Sequence, residues 1–337
     1  MSQLPLIAVF RGGYTGERVI SMQSAKRMMD AIDTTRYQAL YITLTREAWT
    51  CETPNEEAVP LDRGVLSVRI PLPPSKGDDP LHVRKFDAVL IAIHGAPGED
   101  GKLQGLLDML GIPYQTGGVL NMALSFSKYS TVSLLRQMGF AVAPSVMVHA
   151  GNDDPGRTIL EQVGLPCFVK PDESGSSLGI SKVKTAEELG PALAKAFGEC
   201  SAVMAEGCVV GRELTCGVIR LNGHVQALPI CEVRHTHEFF DYEAKYHSKD
   251  TEELVPAPLP DDVTRTVQQR SEAIYRALNC NGMVRVDHIW TGQEVYTIEV
   301  NTTPGFSGAS IYPKMLEVAG IGVANAVNSL IAGMVKS

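Results

Sequence analysis

At 337 residues the chain exceeds the usual size of one hydrophobic core, so two or three domains are expected. Its 44% hydrophobic and 20% charged content is that of an ordinary globular protein, and no apolar run reaches the length of a membrane span. The net charge of −8, without a Lys/Arg-dense run, gives no field for nucleic acid or an anionic membrane, and neither is expected as a partner.

The N-terminus has no basic leader and passes straight into the strand-like run Leu6 to Phe10, so no signal peptide is expected. Seven scattered cysteines without a Cys-x-x-Cys pair fit reduced thiols and a cytoplasmic location. Cys167 and Cys216 lie in apolar runs and read as small core residues. After Leu6 to Phe10 comes the turn Arg11-Gly12-Gly13, then a helical pattern from Gly16 with Met22, Ala25, Met28, Met29 and Ile32 on one stripe. Tyr37 to Leu44 reads as a second strand. Residues 46–85, rich in Pro, Asp, Glu and Ser, read as a variable excursion. Phe86 to Ile93 is a buried parallel-type strand ending at His94-Gly95, and Leu103, Leu106, Leu107 and Leu110 mark a helix stopped by Gly111. Strand–helix alternation implies an open α/β sheet whose ligand-facing residues lie at strand C-terminal ends, the position read for Glu17 and His94.

Near residue 120 the pattern changes. A helix carrying Leu134, Leu135 and Met138 ends at Gly139. Strands are predicted at 140–148, 167–170, 180–183, 203–206, 213–219, 225–231, 283–289 and 295–300, with helices at 186–197, 262–278 and 314–335. This mixture implies an α+β body of two sub-lobes. The charged segment 234–253, with Phe239, Phe240, Tyr242 and Tyr246, is a long loop whose aromatic residues favour docking onto something.

Two predicted strands carry polar pairs at the same spacing. Arg285-Val286-Asp287 and Glu299-Val300-Asn301 place Arg285 with Asp287, and Glu299 with Asn301, on one face each, with Val286 and Val300 opposite. If the strands pair, two carboxylates, an amide oxygen and a guanidinium share a surface, a hard-ligand set suited to Mg2+. The turn Thr302-Thr303-Pro304-Gly305-Phe306-Ser307-Gly308 follows. Upstream, Lys170 to Gly179 is a Lys-terminated strand and a Gly/Ser loop holding Ser176 and Ser177, whose N–H and hydroxyl groups suit phosphate oxygens. It is not a Walker A loop. Glu206 and Glu213 flank Cys208-Val209-Val210-Gly211, a link where adenine can bond to backbone and a carboxylate can hold a ribose.

Together these segments resemble the D-alanine–D-alanine ligase family of the ATP-grasp superfamily. The likeness runs through Gly12 to Ser21, His94 to Gly105, Lys128, the Lys170 to Gly179 loop, Gly211 to Thr215, Asp241 to Tyr246 and Arg285 to Ser310, in the family's order. It implies an ATP-grasp architecture: an α/β domain at 1–120, a central lobe at 121–209, and a C-terminal lobe at 210–337 with 234–253 as lid. The implied activity joins two D-alanines through an acyl phosphate, with ATP as co-substrate and Mg2+ or Mn2+, two ions, held by Asp287, Glu299 and Asn301. A cytoplasmic homodimer serving peptidoglycan precursor synthesis is also implied. By the family pattern Lys128, Lys170, Ser177, Glu206, Val209, Glu213 and Lys245 bind ATP. Arg285 and the Gly305 N–H stabilise the oxyanion. Glu17 binds the first ammonium and links through Ser176 to Tyr246, His94 lies near the first substrate, and Lys245 and Ser310 receive the second carboxylate. Ser127 stands where the family commonly has Asp, Val132 where it often has Lys, Glu173-Ser174 for a basic–acidic pair, and Ala309 where one branch has His. The rivals are a relative using D-serine or a secondary-metabolite amino acid, a non-catalytic nucleotide-binding module, and another ATP-grasp branch such as a carboxylase.

Overall fold

The computed structural model describes residues 3–71, 81–175, 178–234 and 251–335. Leu6–Gly12 is buried along its whole length, as a strand covered on both faces must be. It pairs in parallel with Gln38–Leu44 on one side and Ala88–Ile91 on the other. The crossover helix Arg18–Ala31 packs Ala25, Met28 and Met29 inward. Met22, expected on that stripe, is half-exposed, and Ser21 and Ser24 are buried in its place.

The excursion at 46–85 is more ordered than its composition suggests. Trp49–Glu52 and Ala58–Val59 extend the parallel sheet antiparallel, and Leu61–Asp62, Ser67–Pro71 and Leu81–Lys85 form a small sheet of their own. Cys51, Leu66 and Val68 join Leu6, Phe10 and Ile91 in one core, which supplies the stabilisation such short strands lack alone.

A second sheet, in the order Ser181–Val183, Cys167–Pro171, Ala202–Gly207, Ser145–His149, is antiparallel throughout. Its apolar face buries Val169, Val203 and Ala205 against Ile159 of the helix Pro155–Gln162 and Leu193 of Leu189–Phe197. The third sheet runs Glu252–Leu254, Cys231–Arg234, Arg212–Leu221, Met283–Trp290, Val295–Asn301, with His224–Ala227 paired to Arg212–Leu221. One face buries Val284, Val286 and Val300 against Ile274 of the helix Asp261–Ala277. Leu135 of the helix Lys128–Gln137 joins that same cluster. This helix falls within the span expected for the central lobe, yet its apolar side packs with the C-terminal sheet.

The opposite face packs Ile219 and Met283 with the helices Ile311–Val318 and Val323–Met334, in a cluster that also holds Ile7, Val9 and Met28 of the first lobe. Sequence periodicity reads one helix over 314–335. Two are found, because Gly320 and Gly322 adopt φ of +71° and +75° between them, values that L side chains rarely take. No single helix among the described residues is long and apolar enough to cross a membrane.

Candidate active site

The Met283–Trp290 and Val295–Asn301 strands pair antiparallel with Arg285 opposite Asn301 and Asp287 opposite Glu299. The four polar side chains therefore share one face, while Val286 and Val300 are buried on the other. Just past Asp287 the register slips. Such an irregularity re-aims side chains near functional sites. Asp287 is heavily engaged: Arg285 donates to both its oxygens at 2.8 Å, Asn301 Nδ2 donates at 3.0 Å and the Thr215 hydroxyl at 2.5 Å. Burial works against the Arg285 charge, but Asp287 more than offsets it, and its pKa is pushed up. Glu213, two residues from Thr215 on one strand, shares the Thr215 face.

Lys128 opens its helix and sends Nζ to the carbonyl oxygens of Ser174 and, at 3.4 Å, Asp172, with Glu299 Oε1 at 3.9 Å. Lys170 and Glu206, both buried, are diagonal neighbours on paired strands, with Nζ 2.7 Å from Oε2. Glu206 Oε1 is buried without a hydrogen-bond partner among the described residues, an acceptor left open in the expected adenine region. Val209 is half-exposed beside it, after a link fixed by Cys208 N–H to Pro166 O at 3.0 Å.

On the α/β side, Glu17 lies just before the helix Arg18–Ala31 rather than at a strand end. A side chain at Gly175 would put its Cβ 2.4 Å from Glu17 Oε2, so the loop backbone comes close to this carboxylate and a larger residue there would displace it. The buried His94 ring meets the Thr303 carbonyl through Nδ1 at 2.9 Å and Ser24 Oγ through Nε2 at 3.2 Å. Ser24 Oγ also accepts from Phe306 N–H at 3.0 Å. Burial lowers the His94 pKa, with Glu17 opposing.

Glu99, quoted in the sequence only as part of the His94 to Gly105 segment, proves to be a bridge. Its carboxyl accepts from Gly95 N–H at 2.7 Å and Thr303 N–H at 3.1 Å, joining the two loops. Desolvation, reinforced by Glu17, raises it to about 8. The signal for it was an acid placed five residues after His94 in a Gly-rich turn, which is too common a pattern to single out alone. A Cβ on Gly305 would lie 2.9 Å from Ser310 Oγ, and that hydroxyl accepts from Ser307 N–H at 3.0 Å.

Glu17, His94, Arg285, Glu299 and the Thr303–Ser310 turn are thus drawn to the junction of the first and third sheets. Lys128 reaches Glu299 from the helix packed behind the third sheet, while Lys170 stays on the second sheet, paired with Glu206. Ser176, Ser177, Lys245 and Tyr246, and the 235–250 part of the expected lid, lie outside the described residues. Among the described residues no group of three or more His, Cys, Asp or Glu could hold a metal ion. The metal-type set here is two carboxylates and an amide.

An α/β lobe and two antiparallel sheets, with lysines, carboxylates and an arginine at their junction, define a cleft lined by charges of both signs. Known proteins narrow this class. The D-ala D-ala ligase N-terminus model matches residues 6–117 and the D-ala D-ala ligase C-terminus model residues 134–332. A D-alanine--D-alanine ligase of Bacteroides fragilis (strain YCH46) is 38% identical over 96% of this chain and 98% of its own length. The solved VanG D-Ala:D-Ser ligase of Enterococcus faecalis superposes with TM-score 0.86 at 30% identity, over 99% of this chain and all of that one. A Bacillus anthracis D-alanine--D-alanine ligase complexed with ATP gives 0.74 at 27% identity, over 98% and 97% of the two chains. The chain belongs to the D-alanine–D-alanine ligase family.

Proposed function

We propose that this chain is an ATP-dependent ligase that joins two molecules of D-alanine for peptidoglycan precursor synthesis. The observation that carries the reading is the in-register face of Arg285, Asp287, Glu299 and Asn301 with Lys128 against it. In the first step the carboxylate of one D-alanine attacks the γ-phosphorus of ATP. The bond to the β-phosphate oxygen breaks, giving ADP and a D-alanyl phosphate. In the second step the free amine of another D-alanine attacks the acyl carbon, phosphate leaves and the dipeptide forms.

Lys128 and Lys170 supply positive charge to the phosphates, and Glu206, Val209 and Glu213 receive the nucleoside. The open Glu206 Oε1 fits an N–H donor of adenine. Asp287, Glu299 and Asn301 would hold Mg2+ or Mn2+. The set fits, since all three offer hard oxygens from one face and the Glu299 side chain is 38% exposed. When bound, such ions neutralise phosphate charge. Arg285 and the Gly305 N–H are donors for the oxyanion of the second step, where preorganised donors have their largest effect. Glu17 takes the first ammonium and His94 lines that substrate. A neutral His94 fits this place, because it avoids a second cation beside the ammonium. Ser310 takes the second carboxylate, and the expected roles of Lys245, Ser176, Ser177 and Tyr246 complete the reading. The lobes at 1–120, 121–209 and 210–337 enclose the nucleotide between the second and third sheets.

Phosphate release from ATP, measured over a panel of D- and L-amino acids, D-serine and D-lactate with product mass, tests this. D-alanyl-D-alanine should be the main product. A preference for L-alanine, or depsipeptide formed as fast at pH 7, would overturn it.

A further inference from the structure

Lys128 must be held rigidly to serve the phosphates, and the residues that hold it differ from the lysine itself. Asp172 lies one residue beyond the strand Cys167–Pro171 and is 2% exposed. Its Oδ1 accepts from Tyr129 N–H at 2.8 Å and its Oδ2 from the Ser127 hydroxyl at 2.6 Å. Its carbonyl accepts from Lys128 N–H and Lys128 Nζ, each at 3.4 Å, and its own N–H donates to Ala202 O at 3.0 Å. One residue of the second sheet thus grips the first turn of the Lys128–Gln137 helix through side chain and main chain together. Ser127 is the N-cap of that helix, its Oγ accepting from Ser130 N–H at 3.1 Å. A serine cap is neutral, so the negative charge favoured at a helix start comes here from another strand.

The far side of that helix packs Leu135 against Val286 and Val300, directly behind the Arg285–Asp287 and Glu299–Asn301 face. Asp172 therefore joins the loop after Lys170 to the element packed behind the carboxylate strands. We propose that Asp172, with Ser127, is a positioning residue that fixes Lys128 between the Ser174 loop and Glu299, and so sets the distance between the two halves of the phosphate site. The inference rests on the ATP reading above. It concerns residues that touch no substrate.

The logic makes the two positions interchangeable as a pair. One buried carboxylate between strand and helix is required, and either position can carry it with a hydroxyl opposite. Asp172→Ala removes the acceptor of Tyr129 N–H and the carboxylate partner of the Ser127 hydroxyl, and should raise the KM for ATP about 10-fold or more, with the KM for D-alanine little changed. Ser127→Asp alone sets two carboxylates together in a buried place and should be worse. The double variant Ser127→Asp/Asp172→Ser restores a single carboxylate, now at the N-cap, and should return the KM for ATP to within about 3-fold of wild type. Steady-state kinetics in ATP and in D-alanine, with thermal melts, read all four proteins. If Asp172→Ala folds and keeps wild-type KM for ATP, the positioning role is wrong. If the double variant folds but is no better than the singles, it is also wrong. Should Asp172→Ala fail to fold, the swapped pair still decides. Failure of the wild-type protein to release phosphate from ATP with D-alanine would instead overturn the ligase reading.

Discussion

Asp287 and Glu299 stand directly opposite each other on neighbouring strands, two carboxylates on one face flanked by the Arg285 guanidinium and the Lys128 ammonium. Such an arrangement is costly unless cations are recruited to it. Glu299→Gln should therefore lower turnover by about 100-fold or more, since it removes charge from a site for phosphoryl transfer. Its melting temperature should hold or rise, because like-charge repulsion is relieved. Turnover with Mg2+ or Mn2+ and a thermal melt check both halves, and near-normal turnover in a folded variant would refute the assignment.

The Lys170–Glu206 pair makes a prediction about stability. Lys170→Met leaves a buried carboxylate alone and should cost about 3–5 kcal/mol. Replacing both residues, Lys170→Met with Glu206→Leu, should recover most of that loss, while ATP binding should be lost in the single and the double variant alike. Chemical denaturation of the single and double variants measures it. A single variant as stable as wild type would show that the pair is not buried in solution.

Glu99 gives a pH dependence. Its pKa is about 8 in the folded protein against an ordinary 4.5, so the native state keeps a proton that the unfolded chain has lost. Its contribution to stability is whole below about 4.5 and declines as pH rises to about 8. Ligand-free wild type should lose stability relative to Glu99→Gln across that window. Denaturation of both proteins at pH 5, 6, 7 and 8 tests the sign (on the order of one-unit steps suffices). A wild type that gains on the variant as pH rises would mean that Glu99 is ionised in the fold.

Gly305 and Ser310 should act as one unit. Gly305→Ala brings a methyl 2.9 Å from Ser310 Oγ and must displace it. Both Gly305→Ala and Ser310→Ala should raise the KM for the second D-alanine about 10-fold, and the double variant little further. Additive losses would place the two residues in separate roles.

The polar strand pair was readable because its chemistry and its period coincide: charged residues at i and i+2 with valines between allow only one arrangement of faces. Lys128, His94 and Arg285 were found through their motifs and gather about the Glu299 strand and the Thr303 turn, whereas Lys170 pairs with Glu206 on the second sheet. The strands within 46–85 were not readable. They are two to five residues long, and their apolar members Cys51, Leu66 and Val68 are buried by Phe10 and Leu6, a distant partner that no local window contains. Asp172 was overlooked for a similar reason. A carboxylate that caps a helix from another strand leaves no signal near the helix in sequence.

One core cluster joins Ile7, Val9, Ala25 and Met28 to Phe306, Tyr312, Leu316, Val327 and Ile331. The Asn328 side chain strengthens that seam, donating to Ala31 O at 2.8 Å and accepting from Asp33 N–H at 2.9 Å. A ribosome delivers the first of these residues long before the others. Until the segment from Phe306 onward has been made, that side of the parallel sheet has the Arg18–Ala31 helix but lacks the rest of its cover, and the nascent chain carries an apolar surface of the kind that chaperones hold. The N-terminal lobe is made first and finished last, so a message truncated ahead of Tyr312 would yield a sticky fragment in place of a smaller folded protein.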